Sequence, residues 1–377
     1  MFSDKTFETV VFITNFAWAL RVSHFHFVKN GNKKGDGEYC PVACFTPSKL
    51  LIIKATFVIG TLYLVYIAGR AFEILYLQDQ SASLALMVKL SYLFSAYTLP
   101  IIIHITTVMK AQEVPAFIMH YVQFFKDMKT KYLLPGQKGA KCRKFFIVML
   151  IVGTLITIQN LMIVLLKPKE LHLMTSMVDT KGKSVFKSGP GIILFLLQGN
   201  IWTYCFHWVA YTAGCLYLLK ELDIKVKQPR TRSQLRNSET SLKILRSMQV
   251  LHRYWEDSFQ YFLCPAQKAT ICTICTLGLY GLVKLTGPRS IIMGCVALLA
   301  MLYIITMFYK FGLVHEFSGI TLENWSHSPS STKWMRKVLK SIPSLGVYIG
   351  NFYIMEKTSI AVVLDKILNS TITLFFL

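Results

Sequence analysis

Long apolar runs separated by basic or polar segments dominate the chain. Six of them are at least 20 residues long, which is the length that an α-helix needs to cross a bilayer core about 30 Å thick. A seventh run closes the chain and is interrupted by Asp365 and Lys366. The pattern predicts a bundle of seven membrane spans, or of six spans and a buried tail. The runs are 50–69, 88–109, 145–166, 191–219, 262–283, 291–311 and 360–377.

Two polar loops also carry apolar side chains at helical spacing, which is typical of amphipathic helices. The two helices either pack against each other beneath the membrane or lie on its surface, and periodicity does not separate these alternatives. The stripe in loop 110–144 is Val114, Phe117, Ile118, Tyr121, Phe124 and Phe125, and the stripe in loop 220–261 is Leu242, Ile244, Leu245, Met248, Leu251 and Trp255.

Two further segments of the polar regions have recognisable patterns. The apolar stretch 10–20 is too short to span a bilayer and predicts an interfacial or packed helix before the first span. The segment 228–233 contains a proline, two arginines and two hydroxyl residues, which predicts a flexible linker.

Positive charge is distributed unevenly between the loops. The chain has 41 lysines and arginines against 19 acidic residues, a net charge of +22. With seven spans, 29 of the basic residues fall in the N-terminal segment and in alternate loops, and eight fall on the opposite side. Because loops rich in lysine and arginine stay in the cytosol, this bias predicts a cytoplasmic N-terminus and an extracellular C-terminus. The sequon at Asn324 would then be cytosolic and would carry no sugar.

The organisation predicted from these features contains no separate soluble domain. Residues 1–49 form a cytoplasmic segment, and residues 50–311 form a six-helix bundle with the basic cytoplasmic loops 110–144 and 220–261. Residues 312–355 form a cytoplasmic loop or anchor, and 356–377 form a terminal helix. We therefore expect an all-α protein of the plasma membrane, with helices that extend into a cytoplasmic anchor region.

Composition excludes most other classes of protein. Charged residues make up 16% of the chain, whereas soluble domains usually have ~25%. The basic residues are scattered over loops without a nucleic-acid-binding motif, so we expect contact with the lipid bilayer and none with nucleic acid. No catalytic triad, phosphate loop or carboxylate pair within a span is visible, so we expect neither an enzyme nor a cofactor. Cys272 and Cys275 lie mid-span without a nearby histidine, which predicts core packing rather than a metal site.

Aromatic and polar side chains are mixed in the second to fourth spans. In the predicted orientation a group of them falls in the outer halves of these spans. Aromatic walls with a few polar groups are typical of a small-molecule pocket, although an aromatic belt with interhelical hydrogen bonds explains them equally well. The candidate ligand-binding residues are Tyr92, Tyr97, Gln159, Asn160, Gln198, Asn200, Trp202 and Tyr204.

The last apolar run predicts a pore. Ser370, Thr373, Leu374 and Leu377 follow the spacing i, i+3, i+4 and i+7, which places them on one face of a helix. Hydroxyl groups and leucines on a terminal helix can line a narrow pore in a symmetric oligomer, and the leucines can gate it by dewetting. The alternative is a packed helix whose Ser and Thr side chains bond to the backbone.

The end of the chain resembles the arthropod gustatory and odorant receptors. The segments 341–357 and 369–377 are similar to the last cytoplasmic helix and the pore helix of that family. The family signature there is Thr-Tyr, five apolar residues and Gln-Phe. Here Ser370 and Thr371 stand at Thr-Tyr, 372–376 form the run, Leu377 stands at the glutamine, and Leu374 corresponds to the hydrophobic gate. The departures from the signature favour a divergent gustatory-type member.

The resemblance implies a homo- or hetero-tetramer with one central pore, joined below the membrane in an anchor domain. It also implies that a small tastant or odorant binds in the outer halves of the spans and opens a pathway for cations. Two other classes of membrane protein are alternatives to a chemoreceptor channel. One is a secondary transporter, for which no internal repeat is visible, and the other is a G-protein-coupled receptor, which requires the N-terminus outside.

Overall fold

A computed structural model describes residues 3–19, 23, 25–30, 38–43, 47–77, 84–137, 139, 204–227 and 229–376. The third predicted span, 145–166, and the first part of the fourth lie outside the described residues. The same holds for six candidate site residues, which are Gln159, Asn160, Gln198, Asn200, Trp202 and Leu377.

Helices make up most of the described chain. The helices are α1 Asp4–Ala19, α2 Pro47–Leu77, α3 Leu84–Met109, α4 Glu113–Tyr132, α5 over 204–222, α6 Ser238–Phe259, α7 Leu263–Lys284, α8 Pro288–His327, α9 Lys333–Ser341 and α10 Ser359–Phe376. The sequence-predicted helices that fall within the described chain are present, and their ends lie within four residues of the apolar runs except at the C-terminal ends of α2 and α8.

Within the part of the chain that the structure describes, four helices are long and apolar enough to cross a membrane. They correspond to the first, fifth, sixth and seventh predicted runs and cover Lys54–Glu73, Leu263–Lys284, Ser290–His327 and Ser359–Phe376. The second run forms α3, whose apolar stretch Leu90–Thr106 is shorter. The chain is therefore a helical membrane-spanning protein, and the count of seven spans and the orientation of the termini stay predictions.

Helix α8 is much longer than its apolar run. It continues from the predicted span 291–311 to His327 as one helix of 40 residues, which rises about 60 Å. The helix thus continues through the domain boundary predicted at residue 312, which stays a prediction. Burial of apolar side chains stabilises the extension, because Val314 and Trp325 in the second half of α8 are buried. The Trp325 indole nitrogen also donates a hydrogen bond of 2.9 Å to the Leu222 carbonyl at the end of α5.

The expectation of an all-α protein needs a correction, because two small antiparallel sheets are present. Strand β1 (Phe25–Asn30) pairs with β2 (Glu38–Ala43), and strand β3 (Tyr348–Ile349) pairs with β4 (Tyr353–Ile354). In β1 the side chains of Phe25 and Phe27 are both buried, which is the period-two pattern of a strand with one covered face. The turn between β3 and β4 contains Gly350 at a φ of 57°, a left-handed conformation that favours glycine.

The two amphipathic loop helices lie in one hydrophobic core. The side chains of Phe117 and Tyr121 on α4 and of Trp255 on α6 are fully buried, and they belong to the same cluster of apolar residues. Phe117 contacts Phe259 at the end of α6 with ring centroids 5.7 Å apart. Of the two alternatives left open by periodicity, packing of the two helices against each other is thus the one observed. Helix α1 also packs, since Val10 and Ile13 are buried in this core.

The segment predicted to be a flexible linker is held by a buried carboxylate. Glu221 Oε2, at the end of α5, accepts hydrogen bonds from the Arg230 backbone N–H at 2.9 Å and the Thr231 hydroxyl at 3.0 Å. The guanidinium of Arg236 donates to the Thr231 carbonyl at 3.2 Å. A buried carboxylate requires such partners, and they fix the described part of this segment against α5.

Candidate functional site

Only one face of the terminal helix α10 is covered by other elements of the protein. Val363, Ile367 and Thr371, spaced four residues apart, are buried. The opposite face is exposed and carries Asp365 and Asn369, whose side chains share a hydrogen bond of 3.0 Å from Asn369 Nδ2 to Asp365 Oδ2. A charged group in a membrane helix costs ~2.5–3.5 kcal/mol or more and therefore faces water or a partner. The exposed face of α10 is therefore the part of this helix that must contact water or a partner.

Of the described pore residues, Thr373 lies beside this exposed face, whereas Leu374 is nine residues beyond Asp365 and therefore on the opposite side of the helix. Ser370 and Leu374 are half-buried, Thr373 is exposed, and Leu377 is outside the described chain. All three described residues line one groove, and their assignment to a pore stays a prediction. Asp365 and Asn369 are not among the four residues that the sequence predicts to line the pore, although the i, i+4 spacing of the two residues was a usable signal.

The groove that these residues line runs between α7 and α10 and has a volume of about 920 Å³. We call it the α7–α10 groove. Its α10 wall includes Ser370, Thr373 and Leu374, and its α7 wall includes Cys272 and Thr276. Cys272 and Cys275 are free cysteines. No group of three or more metal-ligating side chains occurs among the described residues.

The β3–β4 hairpin is bonded to the first turns of α7. At the junction of α6 and α7, the side chain of Gln260 donates to the Gly350 carbonyl at 2.7 Å, and the Gly350 N–H donates to the Gln260 carbonyl at 3.1 Å. The Lys268 ammonium group of α7 donates to the Tyr353 hydroxyl and lies 4.7 Å from the centroid of that ring. The hairpin is therefore fixed to the start of α7, and α10 begins five residues after the hairpin ends.

A second connection joins α8 to the start of α10. Lys357 forms an ion pair with Glu316 on α8. At Gly312 the two backbones touch, because a Cβ atom built there would lie 2.6 Å from the Lys357 nitrogen and 2.9 Å from the Glu356 carbonyl carbon. Only glycine permits this approach without a shift of the backbone.

A buried imidazole joins three elements of the core below the predicted membrane. The His252 Nε2 atom of α6 lies 2.9 Å from the Gly346 carbonyl, and its Nδ1 atom lies 3.0 Å from the Tyr211 hydroxyl of α5. Because a carbonyl only accepts, the hydrogen is on Nε2 and the Tyr211 hydroxyl donates to Nδ1. Burial lowers the pKa of His252 to about 4, even though the bond to Gly346 acts in the opposite direction. The imidazole is therefore neutral at physiological pH.

We expect His252→Phe to destabilise the protein by ~1–3 kcal/mol at pH 7.5, because the buried Gly346 carbonyl would lose its partner. The lowered pKa means that the unfolded state binds protons more readily between pH 6.5 and 4, so the contribution of His252 is complete above this window and is lost as the pH falls through it. The difference between wild type and variant, measured as thermal unfolding in detergent, should shrink from pH 7.5 to pH 4.5.

The matched control is His120→Phe, since His120 is exposed on α4. Glu256 lies 3.9 Å from His252, and burial raises the pKa of Glu256. Wild type and both variants contain Glu256, so its titration does not account for a difference in stability between them. A destabilisation of His252→Phe that is equal at both pH values would contradict the assigned protonation state.

The aromatic residues of the candidate ligand pocket separate into two groups. Tyr97 is buried in a cluster with Tyr63, and the two rings meet edge to face at 5.1 Å, while Tyr92 is half-buried on the same helix. Tyr204 belongs to the main core, where its ring centroid is 5.9 Å from that of Phe259. Phe259 is the last residue of α6, four residues before α7 begins, so Tyr204 lies at the end of the bundle that carries loop 220–261. The structure does not bring Tyr97 and Tyr204 into one cluster.

Sequence reasoning missed a polar cluster inside the bundle. The Gln267 side chain of α7 donates to the Tyr303 hydroxyl of α8, and the Cys205 sulfur of α5 lies 3.2 Å from the same hydroxyl. His207 is fully buried, 2.6 Å from the Tyr121 hydroxyl and 3.1 Å from the Thr14 hydroxyl, so that it is a hydrogen-bonded residue of the core.

The fold is that of an insect olfactory receptor. The structure of the insect olfactory receptor OR5 from Machilis hrabei superposes with a TM-score of 0.60, at 12% sequence identity, over 98% of this chain and 99% of that chain. The structure of the same receptor in complex with eugenol gives a TM-score of 0.61 at 12% identity, over 99% of both chains. No protein-family model and no curated protein sequence matches the chain. The resemblance seen in the C-terminal residues is thus confirmed at the level of the fold, along the whole chain.

Proposed function

We propose that this protein is a chemosensory receptor of the plasma membrane, of gustatory type, that acts as a cation channel opened by a small molecule. Each subunit of a homo- or hetero-tetramer contributes α10 to a single central pore, and the core around α4, α5, α6 and the second half of α8 forms the cytoplasmic anchor. Two findings support this proposal. The fold is shared with an olfactory receptor, and one of the structures of that receptor contains the small aromatic molecule eugenol.

The observation that carries the proposal is the one-sided packing of α10. Only 17% of the residues of this helix are buried, and the exposed face bears Asp365 and Asn369. A single copy in a membrane would expose this carboxylate to lipid, whereas copies arranged around an axis would enclose it in water. A ring of carboxylates at one end of a pore attracts cations, which fits the proposed selectivity.

Patch-clamp recording tests the proposal directly. Cells that express the chain, alone and together with other receptor subunits, are exposed to sugars, bitter compounds and volatiles. We expect a current that follows the small molecule and reverses at a potential set by cations. Surface-expressed protein that passes no current in any combination, or an epitope tag showing the C-terminus in the cytosol, would contradict the channel. A ligand must also favour the open state, since binding both states equally shifts nothing.

We expect Leu374→Ala to raise the basal current several-fold. In the proposed tetramer Leu374 narrows the pore, and removal of its side chain widens and wets this constriction. The measurement is the current in the absence of ligand, normalised to the amount of protein at the cell surface. The control is Leu368→Ala, because Leu368 is an exposed apolar residue on another face of α10. Equal basal currents in wild type and Leu374→Ala would exclude Leu374 as the gate.

A further inference from the structure

The stripe of predicted pore residues continues one turn toward the start of α10. Lys366 lies four residues before Ser370 and seven before Thr373, so that the three side chains follow one line along the helix. All three line the α7–α10 groove, and Lys366 is exposed. A pore that is lined by Ser370 and Thr373 is therefore also lined by Lys366.

The positive charge of Lys366 is compensated only in part. None of the described residues that line the groove is acidic. The neighbouring Asp365 is turned by about 100° around the helix, and its carboxylate accepts a hydrogen bond from Asn369. On the α7 wall Lys268 adds a second positive charge, and it is bonded to the uncharged Tyr353 hydroxyl. Two lysines against one aspartate leave a net positive charge in each subunit.

Lys366 lies between the proposed gate and the cytosol. In the predicted topology α10 begins on the cytosolic side, and Lys366 is seven residues after Ser359, the first residue of the helix. Leu374 is eight residues further on, which is a rise of about 12 Å. Cations that leave the cell therefore pass Lys366 before they reach Leu374, whereas cations that enter pass Leu374 first. A charge in this place acts unequally on the two directions of flow.

We propose that Lys366 makes the channel pass inward cation current more readily than outward current. One ammonium group from each subunit of the proposed tetramer repels cations from the cytosolic mouth of the pore, and the Asp365 carboxylates keep this mouth permeable to cations. In water a unit charge changes the local concentration of a monovalent ion about 6 Å away by about threefold. The inference rests on the proposed channel function and on the predicted orientation of α10.

Single-channel recording in excised patches tests the role of Lys366, with about 0.1 M potassium chloride on both sides of the membrane. The amplitude of one opening does not depend on how often the channel opens, so spontaneous openings suffice. For wild type we expect an outward amplitude of about one third of the inward amplitude at equal and opposite voltages. Lys366→Gln should bring this ratio to about one, Lys366→Arg should keep it, and Lys366→Glu should invert it.

Ionic strength separates an electrostatic role of Lys366 from a structural one. In about 1 M potassium chloride the Debye length falls from about 10 Å to about 3 Å. The ratio of wild type should then approach one, while the ratio of Lys366→Gln stays constant. A difference between the two proteins that is equal at both salt concentrations would overturn the proposal.

Lys310→Gln is the matched control for the loss of a positive charge. Lys310 is an exposed residue of α8, two residues before Gly312, and it does not line the groove. This variant should have the same ratio as wild type. Equal ratios in wild type and Lys366→Gln would contradict the role of Lys366 and leave the channel function intact. Surface protein that passes no current in any variant would contradict the channel function itself, and this inference with it.

Discussion

Alanine at position 312 should abolish the ligand-evoked current of a channel that still reaches the cell surface. The added methyl group would lie 2.6 Å from the Lys357 nitrogen, a distance that no relaxed Cβ contact reaches, and both partners are backbone. The first turn of α10 would therefore move away from α8, and the ion pair between Lys357 and Glu316 would be lost with it. The measurement is the ratio of evoked current to surface protein, for which we expect at least a tenfold decrease.

The same helix provides the control for this prediction. Gly319 also lies within α8, and a Cβ atom at that position meets nothing within 4 Å. Alanine favours a helix over glycine by ~1 kcal/mol at either position, so Gly319→Ala should leave the current unchanged. A normal evoked current in Gly312→Ala would mean that the contact between α8 and α10 does not transmit gating.

Trp255→Ala should destabilise the anchor core by ~3–5 kcal/mol, the usual cost of truncating a large buried aromatic residue. The Trp255 side chain is fully buried. Its ring stacks on His252 at 5.7 Å and contacts Trp208 and Phe311 at 6.0 and 5.9 Å. The cavity would therefore open between α5, α6 and α8. Fluorescence-detected size exclusion after heating should show a large loss of folded protein.

Trp255→Phe is the informative companion variant. Among the described residues the Trp255 indole nitrogen has no hydrogen-bond partner, so that phenylalanine removes an unsatisfied donor while it keeps most of the apolar volume. We expect less than half of the destabilisation caused by alanine. Equal losses in the two variants would indicate that the indole nitrogen has a partner that the phenylalanine variant also removes.

The membrane helices were predictable because hydropathy acts over whole segments. The fifth run, 262–283, differs by one residue at each end from α7 (Leu263–Lys284), and the final run was placed correctly in spite of Asp365 and Lys366. In lipid a segment of ~20 apolar residues has few alternatives to a helix. The stripes of α4 and α6 were equally visible, but the surface that covers them depends on tertiary packing, which periodicity does not contain.

Features that depend on a single distant partner could not be predicted. The segment after α5 has the composition of a linker, and it is ordered by the buried Glu221 carboxylate and by backbone hydrogen bonds of Arg230 and Arg232 to the end of α4. The β1–β2 hairpin is stabilised by burial of Phe25 and Phe27 against other elements, and its alternation is too short to stand out from the surrounding residues. Such contacts join residues that are far apart in the sequence, so no local pattern reports them.

Helical spacing groups the candidate pore residues but does not show their surroundings. Ser370, Thr373 and Leu374 were grouped by helical spacing, and they do line one groove. Spacing alone does not tell which face of α10 is covered, however, and the buried face proves to be that of Val363 and Ile367. Once that face is known, Asp365 and Asn369 emerge as the polar residues that most need an aqueous surrounding.

The length of α8 converts a small tilt into a displacement. Its 40 residues form a rod of about 60 Å, so that a tilt of about 3° around its first residue displaces the last residue by about 3 Å, and the level of Gly312 by about 2 Å. Gly312 touches the backbone just before α10, and Trp325 is bonded to the end of α5. A slight widening between helices near Pro288 would thus reach the start of the terminal helix as a shift of about 2 Å.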